Sequence, residues 1–141
     1  MTPDQIKLVQ DSFRQVVPIR AAAAPLFYEN LFAIDAGLRL LFARTDMAKQ
    51  GAMLMAALGF VVQGLDRAES ILPVVQDLAR RHVGYGVQER HYPIVGQALI
   101  DTLATGLGQA FTPQVREAWQ AAYGLLAGVM IAAAREELVA A

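Results

Sequence analysis

Three polar side chains fall where helical spacing places them among apolar neighbours, and each has chemistry to offer there. His82 follows Leu78 by four residues and Val74 by eight, Gln50 precedes Leu54 by four and Leu58 by eight, and Tyr28 precedes Leu31 and Phe32 by three and four. Residues so spaced share a helix face, which turns an imidazole, an amide and a phenol inward. A buried donor or acceptor needs a partner. The imidazole is either a satisfied core group or a metal ligand. The phenol either bonds a carbonyl of its own fold or serves a bound molecule. Gln50, near the start of its helix, is either solvated or turned in with the others. Periodicity does not show that the three meet.

Other chemistry is poorly supplied. With two histidines, His82 and His91, two serines, Ser12 and Ser70, and no nucleophile-elbow motif, a serine–histidine–acid triad has little to draw on. Gly84-Tyr85-Gly86 lacks the preceding strand and the third glycine of a dinucleotide-binding turn and reads as a helix stop. Glu136 and Glu137 are adjacent, so on a helix their carboxyls diverge and a solvated terminal face accounts for them. His91, just ahead of Pro93 at a helix start, reads as a surface residue. Without cysteine there is no disulfide, no thiolate nucleophile and no cysteine-ligated metal centre, a composition that suits a reducing cytoplasm.

The elements that must position these residues are helical. The 141 residues suit one domain, residues 1–141, since a domain usually takes about 100 to 200. At 55% hydrophobic and 18% charged, with a mean hydropathy of +0.36, the chain can form a large core. Twelve basic against thirteen acidic side chains, with no basic run, disfavour nucleic-acid binding. The longest apolar run, Ala121 to Ala134, is fourteen residues, short of the roughly 18 to 20 that span a bilayer, and polar residues interrupt any N-terminal export signal.

Thr2-Pro3-Asp4-Gln5 has the makings of a capped start for a helix to about Val17. Pro18 marks a corner into a second helix reaching Phe32, which Pro25 should kink or restart. Asp35 and Gly37 open a turn-rich piece ending near Phe42. Leu54, Leu58, Val61, Val62 and Leu65 define one inward helix face, and Ile71, Val74, Val75 and Leu78 another. Pro93 and Pro113, the latter preceded by Thr112 as cap, begin two longer helices. No segment alternates with period two, so the expected architecture is all-α with six to eight helices.

Taken in order, Leu26-Phe27-Tyr28, Phe42, Gln50 with Leu54, Arg81-His82, His91-Tyr92-Pro93-Ile94-Val95-Gly96, Ala118-Trp119 and Ala122-Tyr123-Gly124 resemble a bacterial globin. More narrowly, the chain is similar to the haem domain of flavohaemoglobins and their single-domain relatives, the Vitreoscilla-type and methanotroph globins, from about residue 3 to 135. The resemblance implies a globin fold around a haem b (iron protoporphyrin IX) pocket. His82 is then the proximal iron ligand. Tyr28 and Gln50 are the distal polar pair beside the small ligand, with Leu54 as a distal apolar wall. Phe42, Val87, Val95 and Tyr123 contact the haem, Leu78 lies on the proximal side and Tyr92 supports that side; Arg81, next to His82, either pairs with a propionate or forms part of a solvated face. A phenol or amide donor beside bound dioxygen favours the bound state.

The implied function is reversible binding of dioxygen and of small ligands such as carbon monoxide or nitric oxide, for storage, delivery or sensing. The alternative from the enzyme class is nitric oxide dioxygenation, which uses the same residues and draws on an external electron-donating reductase. A third reading, a globin-fold adaptor that has lost haem, is opposed by the retained His82, Phe42 and Tyr28. The chain departs from the flavohaemoglobin pattern at Ala134, where those proteins carry a glutamate that buttresses the proximal histidine. That departure argues against strong peroxidase-like activation.

Overall fold

The computed structural model describes residues 1–140. Helix α1, Pro3–Val16, starts at the expected capping box: the Gln5 N–H donates to Thr2 Oγ1 and the Thr2 N–H to Gln5 Oε1, each at 3.1 Å. Two of the donors that a helix start leaves open are thereby met. After a 3-10 turn, Val17–Ile19, helix α2 spans Arg20–Ile34. It runs unbroken through Pro25, against the expected restart there. Pro25 removes the N–H that would have met the Ala21 carbonyl, but both residues are exposed and water can take that bond.

A 3-10 stretch, Ala36–Phe42, follows, opened by the Asp35 carboxylate accepting from the Gly37 N–H at 3.0 Å. Helix α3, Met47–Gln63, is capped by Asp46, whose Oδ1 accepts from the Ala48 and Lys49 N–H groups at 3.1 and 3.3 Å. Leu65, expected to extend its inward face, lies instead in the 3-10 turn Leu65–Arg67, because the helix stops at Gly64. Helices α4, Ala68–Gly84, α5, His91–Leu107, and α6, Pro113–Ala140, complete the chain. Six α-helices and no strand are present among the described residues.

Two apolar clusters organise them. The larger gathers Val9, Phe13, Phe27, Leu99 and Trp119 from α1, α2, α5 and α6; the smaller joins Ile71, Val75 and Ala79 of α4 to Met130 and Ala133 of α6. The face of α4 turned to α6 is therefore 71-75-79. Val74, assigned to the inward stripe from spacing, is 46% exposed. Leu78 and His82 lie on its row, about 60° around from the buried one by helical geometry, and both are half-buried.

Inside the larger cluster, Trp119 is 2% exposed and its Nε1–H donates to Ser12 Oγ at 2.9 Å, while Ser12 Oγ donates in turn to the Leu8 carbonyl at 2.7 Å. This ties α1 to α6. Ser12→Ala leaves the indole N–H buried and unpaired, which should cost about 1 to 3 kcal/mol. Urea unfolding followed by helical circular dichroism will show it as a lowered midpoint with an unchanged slope.

His91 is buried, 4% exposed, and not the surface residue expected from its place before Pro93. Its Nδ1 accepts from the Gln88 N–H at 2.9 Å, so the ring folds back to close the α4–α5 corner. Burial, with Arg90 beside it, holds the imidazole below the ordinary histidine value of 6.5, and Asp35 opposes them. Arg90 and Asp35 also pair at 3.6 Å. Since the folded state prefers the neutral ring, its contribution is complete above about pH 6.5 and is lost as pH falls through the lowered folded value. The stability of the wild type relative to His91→Gln should therefore shrink between pH 7 and pH 5 in paired urea titrations.

Candidate functional site

On α2 and α3 the predicted distal residues do meet. Gln50 Nε2 donates to Tyr28 Oη at 3.1 Å. A close helix crossing makes this possible: a Cβ built on Gly51 would stand 3.0 Å from the Ala24 Cβ, so α2 and α3 approach where both carry almost no side chain. Ala24 lies one turn before Tyr28, and Gly51 is next to Gln50. Gln50 is half-buried and turned in, and Tyr28 is 6% exposed with an amide, not a carbonyl, as its partner.

The bond has a direction with a chemical consequence. Because Tyr28 Oη accepts from Gln50, its own O–H remains free to donate elsewhere. Burial raises the phenol above its ordinary value, and the Gln50 bond offsets this only in part, so the group stays protonated and able to donate at neutral pH. Aromatic rings hold it in place. Phe27 meets it edge-on with centroids 5.0 Å apart, Phe42 at 5.4 Å, and Phe32 lies 6.1 Å away. Phe27 and Phe32 were not among the predicted site residues; the i,i+4 spacing of Tyr28 and Phe32 was the signal available. Leu54, one turn beyond Gln50, is half-buried against the same cluster.

His82 is positioned by its own helix. Its Nδ1 lies 2.7 Å from the Leu78 carbonyl oxygen, an acceptor, so the proton sits on Nδ1 and the Nε2 lone pair is left free. Burial keeps the imidazole below its ordinary value; the Leu78 carbonyl pulls the other way, and the neighbouring Arg81 charge sides with burial. The ring is thus neutral and able to ligate through Nε2. Its backbone carbonyl accepts from the Val87 N–H at 3.1 Å, fixing the start of the corner. Arg81 is exposed and reaches Asp77 at 3.7 Å, one turn back.

The remaining predicted contacts divide between the clusters. Phe42, Leu54, Val95 and Tyr123 pack as half-buried residues on the larger one; Leu78 and Val87 do so on the smaller, which also contains Tyr92. Tyr123 Oη donates to the Tyr92 carbonyl at 2.5 Å. Its ring lies so close to α5 that a Cβ on Gly96 would fall 2.6 Å from it. Burial, with the neighbouring Tyr92, pushes the Tyr123 phenol far up. Ala134 is half-buried, with no carboxylate at that position. No helix among the described residues is long and apolar enough to cross a membrane.

A family model described as globin matches residues 26–130. A flavohemoprotein from Deinococcus radiodurans is 34% identical over 133 residues, covering 93% of this chain and 33% of the relative; one from Vibrio cholerae is 30% identical over 137 residues, covering 93% and 34%. The chain spans about a third of the length of these curated relatives. A bacterial globin from Campylobacter jejuni superposes with a TM-score of 0.84 at 25% identity, over 96% of this chain and 97% of that one. An engineered carbene transferase from Rhodothermus marinus shares the fold, with a TM-score of 0.89 at 24% identity over 99% and 97%. The matched region carries Tyr28, Gln50 and His82 on three different helices, and the chain belongs to the globin family.

Proposed function

We propose that this globin holds haem b through His82 and reversibly binds dioxygen and other small ligands, among them carbon monoxide and nitric oxide. The observation that carries the reading is the His82 tautomer: with Nδ1 committed to the Leu78 carbonyl, Nε2 is the only ring nitrogen free to ligate. Among the described residues no group of three or more histidine and acidic side chains is arranged to hold a bare metal ion. A single imidazole suffices where a porphyrin supplies the other ligands. The absence of cysteine leaves no thioether attachment, which favours a haem held by ligation and packing.

Phe42, Leu54, Leu78, Val87, Val95 and Tyr123 are half-buried apolar or aromatic residues at the edges of the two clusters. A flat apolar group between them would cover that surface, with Arg81 available to a propionate and Tyr92 behind the proximal side. When bound, haem supplies an iron with one position open to a diatomic ligand. The chain's own residues do the rest. Tyr28 donates its free O–H to the ligand, Gln50 holds that phenol in place, and Leu54 restricts water and larger molecules. Any redox turnover requires an electron-donating reductase as partner.

Haem reconstitution tests the reading. The loaded protein should show a Soret band, distinct from that of free haem, that shifts on carbon monoxide addition; a spectrum indistinguishable from free haem overturns the proposal. His82→Ala should lower haem retention on a desalting column and change the ferrous and carbon monoxide spectra. Retention of wild-type spectra would mean that another residue ligates.

Removing a hydrogen bond to a partly charged ligand costs about 1.5 to 3 kcal/mol, roughly 10- to 150-fold in affinity. Tyr28→Phe should therefore release dioxygen about tenfold faster or more in stopped-flow measurements, with a smaller effect on the less polar carbon monoxide. Gln50→Leu should have the smaller effect, since it frees the phenol without removing the donor. The double variant should be non-additive, because both groups act through one hydrogen-bonded pair.

A further inference from the structure

Beyond the end of α4 the fold contains a second space. A cavity of about 260 Å³ lies between the α4–α5 corner and the last turns of α6, with Val83, Val87 and Tyr92 among its walls on one side and Ile131, Ala134 and Arg135 on the other. Neither His82 nor Leu78 lines it, and none of Tyr28, Gln50 or Leu54 does. It shares only Val87 and Tyr92 with the proposed haem contacts.

One polar group is out of keeping with these walls. Tyr92 is 7% exposed, and its ring belongs to the smaller apolar cluster. Its backbone carbonyl takes the Tyr123 hydroxyl, but its own hydroxyl has no partner among the described residues; burial raises the phenol with no hydrogen bond to offset it. No sealed side-chain polar atom goes unpaired among the described residues, so this hydroxyl is not fully walled in, and Tyr92 is one of the residues that line the cavity. An unpaired donor beside a half-open, largely apolar cavity is the anchor expected of a ligand site.

Charge and size restrict the occupant. Among the described lining residues the charged ones, Glu89 and Arg135, are paired with each other, and the other walls are largely apolar, so a charged guest would lose hydration without a free partner of opposite charge. An apolar cavity of about 150 Å³ accepts benzene, so this larger space suits a fused bicyclic ring of roughly ten heavy atoms. The geometry points to a second small-molecule site, bordering the proposed haem contacts at Val87 and Tyr92, for a neutral aromatic alcohol. Its ring packs against Val83, Val87, Ile131 and Ala134, and its hydroxyl pairs with that of Tyr92.

2-Naphthol, uncharged at neutral pH, is the probe, titrated calorimetrically into the purified full chain. Saturable one-to-one binding is expected. Ala134→Leu fills the cavity and should weaken it at least tenfold, with helicity unchanged. Tyr92→Phe should weaken 2-naphthol about 3- to 10-fold and leave naphthalene unaffected, while 2-naphthoate should bind the wild type at least tenfold more weakly than 2-naphthol. The proposal is overturned by absence of saturable binding, by undiminished binding to a folded Ala134→Leu, by equal losses for naphthalene and 2-naphthol in Tyr92→Phe, or by preference for the carboxylate. Tyr92→Phe, which keeps the ring and removes one oxygen, decides the matter if Ala134→Leu fails to fold.

Discussion

One stripe of α6 holds both halves of the molecule. Trp119 and Met130 are eleven residues apart, close to three full turns, and so lie on nearly the same face about 16 Å apart along the axis. Around Trp119 that stripe meets α1, and around Met130 and Ala133 it meets α4. A continuous helix of 28 residues is stiff over this distance, so the position of α4, and with it His82, is referred to the same rod that anchors the α1 end. The buried Trp119–Ser12 bond fixes the register at that end, because Trp119 is 2% exposed and its indole N–H has Ser12 Oγ as its acceptor.

The site residues share a simple logic in which one hydrogen bond inside the fold leaves one function free. The Leu78 carbonyl takes the Nδ1 proton of His82 and leaves Nε2 available. Gln50 donates to Tyr28 and leaves the phenolic O–H available. Each pair is supported by backbone placement, Leu78 by the preceding turn of the same helix and Gln50 by the tight Gly51–Ala24 crossing. Tyr123 follows the same pattern on the other side: Gly96 lets its ring close on α5, and its hydroxyl is consumed by the Tyr92 carbonyl. Tyr92 differs, since its own hydroxyl has no such partner.

Local signals in the sequence proved reliable where the physics is local. The Thr2–Gln5 capping box, the Thr112 cap before Pro113 and the stop near Gly84 each depend on atoms within a few residues, and each stands in the structure. Val74 and His91 were misplaced because packing by other elements, not local pattern, decides burial, while Leu65 keeps its inward contacts from a turn instead of the helix. Spacing says which residues share a face but not which face the neighbouring helix takes. α6 chose the 71-75-79 row of α4 over the 74-78-82 row, α3 stopped before Leu65, and the His91 ring turned back to accept from Gln88.

The sequence by itself determined the all-α class, the capped helix starts at Thr2 and Thr112 and the candidates His82, Tyr28 and Gln50, because periodicity and caps are properties of a single chain segment. Its ordered motifs also carried the resemblance to a globin before any contact was visible. Tertiary structure alone decided that Tyr28 and Gln50 meet across α2 and α3, twenty-two residues apart, since that depends on two small residues allowing two backbones to approach. It also decided that Ala134 and Tyr92, far apart in sequence, line one cavity. Whether neighbours close over a short side chain depends on packing from several elements at once, and no one-dimensional pattern encodes that.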